Sequence, residues 1–166
     1  MLAFASLAGE YCDAVQRAPQ TEKMAFIAGM LRLLPSLYTS ISAIGMDELP
    51  YDVTEEYYST YVDEQDYETV RKGVEALLGE DDTYLETFEE DMKYSETPIA
   101  ASISEGLADM FQDLYNFSAR VRDSEGEALS GALRECKENF EAYWGQTLCN
   151  VMRALHSIRY SGQPQE

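Results

Sequence analysis

Three acidic residues spaced by four, Glu105, Asp109 and Asp113, are the side chains whose pattern could do chemistry. On a helix this spacing places all three on one stripe, because residues four apart lie one turn above each other. Such a stripe of carboxylates could bind a hard cation or position a water molecule. It lies opposite the apolar Leu107 and Phe111, which indicates that it faces solvent. We therefore expect a solvated helix face, and the sequence predicts no metal and no cofactor.

Polar residues near the C-terminus are the second candidate for chemistry. The one histidine, His156, would have to be the base in serine–histidine or cysteine–histidine catalysis, and no nucleophile motif accompanies it. Di-metal sites in helical bundles need Glu-x-x-His on two helices, which a single histidine excludes. We therefore predict no catalytic residue. If the last two helices meet, a pocket is possible, and whether it is structural or functional stays open. Its six candidate residues are Asp109, Gln112, Asp113, Trp144, Arg153 and His156.

The charge of the chain is concentrated in one acidic segment, residues 47–96. It holds eighteen acidic residues against three basic ones, a net charge of −15 out of −19 for the whole chain, and seven of the twelve tyrosines. Such a surface repels nucleic acid and anionic lipid and attracts a basic protein. Tyrosine adds contact area with a polar handle, which suits an interface. The candidate partner-binding residues are Glu55, Glu56, Tyr57, Tyr58, Tyr61 and Asp63.

Composition predicts a single globular domain. A chain of 166 residues with 45% hydrophobic residues can bury a core of its own. We expect this domain to span residues 1–160 and residues 161–166 to fray. The three cysteines have no C-x-x-C spacing and lie among apolar helical positions, which predicts buried, reduced thiols. The N-terminus lacks the basic start of a signal peptide, and no apolar run approaches a transmembrane span, so we expect a soluble cytoplasmic protein.

Apolar residues recur at helical spacing at both ends of the chain. A first helix is predicted from Leu2 to Ala18. A second is expected to begin with Thr21 as its cap. This second helix is apolar on nearly all sides, which predicts a central, buried position. Pro35 lies inside it and predicts a kink near Leu31.

Shorter helices are predicted within the acidic segment. Thr54 is expected to cap a short helix that ends at Tyr61. Asp63 caps a more regular helix, and Gly79 supplies its left-handed stop. Leu85 and Phe88 indicate one further helical turn.

Two Ser-x-x-Glu capping boxes, at residues 102–105 and 124–127, predict the starts of the last two helices. The final helix is expected to reach Tyr160, with Gly131 and Gly145 as places for a bend. No alternating pattern is long enough to predict a sheet. The sequence therefore predicts an all-α fold: a bundle of about four long helices plus one or two short acidic helices.

Three stretches of the sequence carry a family resemblance. They are residues 33–38 (LLPSLY), residues 103–114 (ISEGLADMFQDL), and residues 143–145 (YWG) followed by 153–156 (RALH). They resemble an uncharacterised bacterial family, the domain of unknown function 5063, and the similarity extends over nearly the whole chain. The resemblance implies a cytoplasmic helical bundle. It implies no activity, because none is assigned to the family.

The sequence leaves two functions from different classes open. The first is a non-enzymatic cytoplasmic interaction protein that binds a basic protein through the acidic segment, with no direct binding to nucleic acid or membrane. In the competing interpretation the segment is only a soluble cover with Tyr61 and Tyr67 packed inward. The second function is a small-molecule or metal-dependent enzyme with a site near Asp109, Asp113, Arg153 and His156. Mimicry of nucleic acid by the acidic face is a third possibility, and the oligomeric state is open.

Overall fold

The structure, a computed structural model, describes residues 1–49, 60–85 and 99–161. Within these ranges the chain is almost entirely helical, and the predicted all-α bundle is confirmed. The α-helices are α1 (Leu2–Gln16), α2 (Lys23–Ser42), α3 (Glu64–Leu78), α4 (Ile103–Asp123), α5 (Leu129–Asn139) and α6 (Gly145–Ser161). A π-helical turn, Phe140–Trp144, joins α5 to α6. Short 3₁₀ turns cover Ala18–Gln20, Met46–Glu48 and Gly79–Asp82. Of the predicted 161–166 tail, only Ser161, which ends α6, lies within the described residues.

The central helix of the bundle is α4. It packs against α1, α3, α5 and α6, while α2 packs only against α1 and α6 among the helices with extensive contacts. Aromatic rings fill the middle of the core, where Phe4 lies 5.3 Å from Phe117 and 6.4 Å from Trp144 between ring centroids. The buried hydroxyl of Tyr11 donates a 2.6 Å hydrogen bond to the carbonyl of Leu107, which fixes α1 to α4.

The expectation that the second helix is central and buried on all sides is wrong. One face of α2 is buried in the core, but only 33% of its most apolar 18-residue window is buried. By length and composition alone α2 is apolar enough to cross a membrane. In the bundle it lies at the periphery and runs through Pro35 without interruption. Its outer face is therefore left uncovered by the described residues.

The helix-end signals of α3 behave as predicted. Asp63 and Asp66 form a reciprocal capping box, in which the Asp63 carboxylate accepts a 2.8 Å hydrogen bond from the Asp66 amide. Gly79 follows the helix at a φ of +60°, a value that favours glycine. For α2 the cap is Glu22 and not Thr21, because the Glu22 carboxylate accepts hydrogen bonds from two amides of the first turn.

Two local predictions are corrected. The Ser124–Glu127 capping box does not start a helix: Ser124 ends α4, and its hydroxyl accepts a 2.9 Å hydrogen bond from the Ala128 amide inside a turn. Leu85 ends a short strand and not a helical turn, while Phe88 lies outside the described residues. Strand β1 (Thr83–Leu85) pairs antiparallel with β2 (Ala100–Ser102), with Thr83 opposite Ser102. Three-residue strands are too short to show an alternating pattern. The helix predicted from Thr54 lies outside the described residues except at its end.

The long final helix is interrupted where Gly145 predicted a bend. A Cβ atom at this position would lie 2.7 Å from the Phe140 carbonyl oxygen, so the π-helical turn requires glycine there. The indole of Trp144 is buried, and its Nε1 donates a 3.0 Å hydrogen bond to the carbonyl of Cys136. This bond satisfies a carbonyl in the disturbed turn.

Candidate functional site

The start of the acidic segment is held by two cations of α5. Arg134 donates to the carbonyl of Leu49 at 2.6 Å and to that of Met46 at 3.2 Å. The buried ammonium of Lys137 donates to the carbonyls of Ile41 and Ile44 at the end of α2. Cations at these positions give carbonyls at and after the end of α2 a charged donor, where the helix dipole favours positive charge. The chain therefore leaves α2 along a fixed path as the acidic segment begins.

Two further attachments hold the segment to α4. The side-chain oxygen of Asn116 accepts hydrogen bonds from the amides of Tyr61 at 2.9 Å and Val62 at 3.2 Å. The buried carboxylate of Asp82 accepts from the Ser104 amide at 2.7 Å and from its hydroxyl at 2.6 Å. Asp82 therefore stabilises the start of α4, where the helix dipole favours negative charge.

The candidate stripe on α4 meets the segment at α3. The hydroxyl of Tyr67 donates a 2.7 Å hydrogen bond to Asp109, which is exposed like Glu105. Burial and this bond together raise the pKa of Tyr67 above its ordinary value. Tyr67 is half-buried, and its hydrogen bond to Asp109 connects α3 to α4. The neighbouring carboxylates of Glu105 and Asp109 remain exposed.

Most described carboxylates of the segment are exposed, and few are paired. Arg71 forms ion pairs with Glu68 and Glu75, and Lys23 forms one with Asp81 at 2.6 Å. The exposed acidic residues that make no ion pair with any described residue are Asp47, Glu48, Glu64 and Glu80, together with Asp63 and Asp66, which form the capping box of α3. Apart from the ion pair of Asp81, the attachments described above involve backbone groups or the buried Asp82. The charges of Asp47, Glu48, Glu64 and Glu80 therefore do not hold the segment in place.

Of the six predicted partner-binding residues, two are described. Tyr61 is half-buried, and a hydrogen bond with Asp123 raises the pKa of its hydroxyl. Asp63 is exposed and caps α3. Both therefore have structural roles at the edge of the segment. Glu55, Glu56, Tyr57 and Tyr58 lie outside the described residues.

A small polar cavity of about 100 Å³ lies between α4 and α5. Its polar lining includes Asp113, Asn116 and Asn139 together with the ion pair between Arg120 and Glu135, whose nearest atoms are 2.9 Å apart. Burial, followed by the negative charges of Asp109 and Glu135, raises the pKa of Asp113 to about 6. The cavity can therefore hold a polar group beside a carboxyl that changes protonation near neutral pH.

The π-helical turn begins directly after Asn139 in the cavity wall. Cys136, one turn earlier, also lines the cavity and is buried. Burial, followed by the charge of Asp113, raises the pKa of its thiol, so Cys136 is held protonated and is a poor nucleophile. Burial likewise raises the pKa of Cys12 to about 12. The predicted burial of all three cysteines is wrong for Cys149, which is exposed.

The six predicted pocket residues are divided among separate places. Asp113 lines the polar cavity, Asp109 bonds to Tyr67, and Gln112 is exposed. Trp144 is buried in the core. A different, more apolar groove, of about 630 Å³, holds Arg153 and His156 between α2 and α6.

Within the described ranges, Asp113 therefore shares neither a cavity nor an ion pair with Arg153 and His156. In that same part of the chain, no three His, Cys, Asp or Glu side chains are grouped to hold a metal ion.

Sequence reasoning missed the residues that attach the segment, chiefly Lys137, Arg134, Asn116 and the pair of Asp82 with Ser104. One signal was available: Lys137 lies four residues after Leu133 on the apolar stripe of the last helix. A lysine on such a stripe must find a partner when the helix packs. The attachments by Asn116 and Asp82 join residues 54 and 22 positions apart, and no local pattern indicates them.

Comparisons with known proteins agree with the fold. A family model described as "Domain of unknown function (DUF5063)" matches residues 1–161. The crystal structure of protein BF1032 from Bacteroides fragilis is similar to this chain, with a TM-score of 0.84 and 33% sequence identity. The similarity covers 99% of this chain and 95% of that one. No curated protein matches the chain.

Proposed function

The chain belongs to the family described as domain of unknown function DUF5063, and for this member we propose a non-enzymatic interaction function in the cytoplasm. The acidic segment, residues 47–96, binds a basic protein in this proposal. The family membership carries no activity, so the proposal depends on charge and on how the segment is attached.

The observation that supports the proposal is that the fold attaches the segment mainly through backbone groups and one buried acid, and leaves several exposed acids without an ion pair. Arg134 and Asn116 bind backbone groups, and Asp82 is the buried acid at the start of α4. Asp47, Glu48, Glu64 and Glu80 are left exposed without an ion pair to a described residue. Unpaired like charges on one surface repel each other, and a basic partner relieves that repulsion.

The experiment compares two charge-neutralised proteins with the wild type as baits for capture from native lysate. In the test variant, five acids of the segment become amides. They are Glu48, Glu55, Glu56, Glu64 and Glu80. In the matched control the same change in net charge is made at exposed acids elsewhere, namely Glu10, Asp13, Glu125, Glu127 and Glu141.

We expect the wild type and the control to retain the same basic protein and the test variant to lose it. The affinity of the purified partner should fall as salt rises from about 50 mM to about 300 mM, because screening weakens exposed charge pairs. Equal retention by all three baits, or an affinity that salt does not change, would contradict the proposal.

A second candidate function is favoured by the polar cavity. A carboxyl with a pKa raised to about 6, two amide side chains and a π-helical turn meet there, and π-helical turns are frequent at functional sites. In this second candidate function, the protein is an enzyme that binds a small polar molecule beside Asp113. A thermal-shift screen of small polar metabolites tests it. A ligand of this cavity should stabilise the protein with Arg153→Ala and His156→Ala, and should not stabilise Asp113→Asn.

A further inference from the structure

The outer face of α2 is not covered by the described bundle, and apolar side chains border it on both sides. Met24 is 42% exposed and Tyr38 is 41% exposed, while Leu31 and Leu33 are half-buried. Between them the helix carries small residues, including Ala25 and Gly29, and a Cβ atom on Gly29 would meet nothing within 4 Å. This ridge of small residues, with Arg32 and Ser36 also exposed on it, allows another helix to approach closely.

Two grooves flank this ridge. The α1–α2 groove has a volume of about 450 Å³ and is floored by Leu7, Phe26 and Met30. The α2–α6 groove, of about 630 Å³, is lined by Leu31, Met152 and other residues. Both are open, elongated depressions that follow helix axes, which suits a helix better than a small molecule.

The basic residues around the grooves are unpaired, although the protein has 31 acidic residues. Arg17 and Arg32 line the α1–α2 groove together with one acid, Glu10, and Arg153 lines the α2–α6 groove. Arg159 donates to the hydroxyl of Tyr160, which lines that second groove. None of these four arginines forms an ion pair with a described residue. Elsewhere in the described ranges, Lys72 is the only other cation with neither an ion pair nor a hydrogen bond.

We propose that the ridge of α2 and its two flanking grooves bind an acidic amphipathic helix of a partner protein. The apolar stripe of that helix lies along the ridge, and carboxylates on its flanks reach Arg17 and Arg32 on one side and Arg153 on the other. Arginine suits this role because its guanidinium binds a carboxylate through two parallel hydrogen bonds. This surface is separate from the acidic segment and takes a partner of the opposite charge.

The position of Arg32 counts against a second copy of the chain as the occupant. A second copy related by a two-fold axis along the ridge would place Arg32 against Arg32. Like charges in such a contact oppose association.

The probe for the test is a synthetic helical peptide of about 20 residues, which matches the length of α2. It carries a leucine stripe flanked by glutamates. One comparison peptide has lysine at every glutamate position, and another has the same composition in shuffled order. Fluorescence anisotropy measures binding to the wild type, to Arg32→Ala with Arg153→Ala, and to a charge-matched control with Lys72→Ala and Arg122→Ala. Both control residues are exposed cations outside the grooves.

We expect the acidic amphipathic peptide to bind the wild type and the control alike. The Arg32 and Arg153 substitutions should weaken binding by about tenfold, as expected for two exposed charge contacts. Cys149 lines the α2–α6 groove and is exposed, whereas Cys12 and Cys136 are buried. Bound peptide should therefore slow alkylation of Cys149 and leave the two buried thiols as internal references.

Four results would overturn the proposal. They are no binding, equal binding of the shuffled or lysine peptide, equal weakening in the charge-matched control, and a Cys149 alkylation rate that the peptide does not change. A dimer in light scattering that dissociates when Arg32 and Arg153 are replaced would assign the surface to a second copy instead. The replaced side chains are exposed, so we expect each variant to keep the fold. Circular dichroism of each variant checks this.

Discussion

At the residue scale, Asp113 is an acidic side chain whose pKa is raised mainly by burial. It lies half-buried in the polar cavity, near the charges of Asp109 and Glu135. The pattern of acids spaced by four located this residue but predicted a solvated face. That prediction suits Glu105 and Asp109, which are exposed. It misses Asp113 because α5 covers the end of the stripe, which depends on a helix crossing and not on local spacing.

Replacement of Asp113 by asparagine should stabilise the protein at neutral pH. The folded-state pKa is raised from 3.8 to about 6, so the native state binds more protons than the unfolded state between these values. The stability of the wild type therefore carries a penalty from this group that grows as pH rises through that window. After allowance for partial exposure, Asp113→Asn should gain roughly 1–2 kcal/mol at pH 7 and almost nothing near pH 4.

Urea unfolding of both proteins between about pH 4 and 7.5 measures this difference. Glu127→Gln, at an exposed position in the turn after α4, is the control and should run parallel to the wild type. A constant difference between Asp113→Asn and the wild type across the pH range would show that burial of the charge is not the cause.

At the element scale, the sequence predicts helices well where both ends are marked and one face is apolar. The capping box at Asp63 and the stop at Gly79 define α3 within a residue. The same kind of signal fails at Ser124, where the Ser-x-x-Glu pattern occurs in a turn with Gly126 at a φ of +89°. A hydroxyl that can cap a helix can equally close a turn. Only packing against α4 decides between the two.

The position of α2 shows a second limit. An apolar helix can be buried on all sides, cover an interface or cross a membrane, and all three share one composition. The sequence therefore could not indicate that the outer face of α2 is uncovered. Likewise, the π-helical turn at Phe140–Trp144 adds one residue to a turn of the last helix. This shifts the spacing of the apolar residues too little for the sequence to predict the turn.

Substitution of Gly145 by alanine tests the role of the π-helical turn. The new methyl group would lie 2.7 Å from the Phe140 carbonyl oxygen, a backbone atom that cannot rotate away. We expect a loss of roughly 2–3 kcal/mol in unfolding free energy, the range typical of overpacking. Urea unfolding measures the loss, and the near-ultraviolet signal of Trp144 should change because its ring packs beside the turn.

Gly9→Ala is the matched control for this experiment. It is also a helical glycine, but a Cβ atom there meets nothing within 4 Å. Alanine should therefore stabilise α1 by up to about 1 kcal/mol. If both substitutions change stability equally and with the same sign, the close approach at Gly145 does not determine the turn.

At the scale of the whole molecule, acidic and basic residues are concentrated at different places. The described part of the acidic segment includes α3, while the arginines without ion pairs lie around α2. The sequence located the first of these, because eighteen acidic residues lie within residues 47–96. It could not locate the second, since Arg17, Arg32 and Arg153 come from three helices and are brought together only by folding.

The charge distribution predicts opposite effects of salt on folding and on binding. With a net charge of −19, the folded protein repels itself, and the repulsion is concentrated in the acidic segment. Raising sodium chloride from about 20 mM to about 300 mM shortens the screening length to well under 10 Å. The unfolding temperature should then rise by a few degrees, which corresponds to roughly 1 kcal/mol for a chain of this size. Over the same range, binding of a basic partner should weaken.

This contrast separates a binding surface from a passive cover, because both would make the fold salt-sensitive and only a binding surface makes association salt-sensitive. The two charge-matched variants sharpen the comparison. Neutralising five acids of the segment should reduce the salt-dependent rise in unfolding temperature more than neutralising five acids elsewhere, since eighteen of the 31 acidic residues belong to the segment. An equal reduction in both would mean that the repulsion is spread over the whole surface. The segment would then have no electrostatic advantage as a docking site over the rest of the acidic protein.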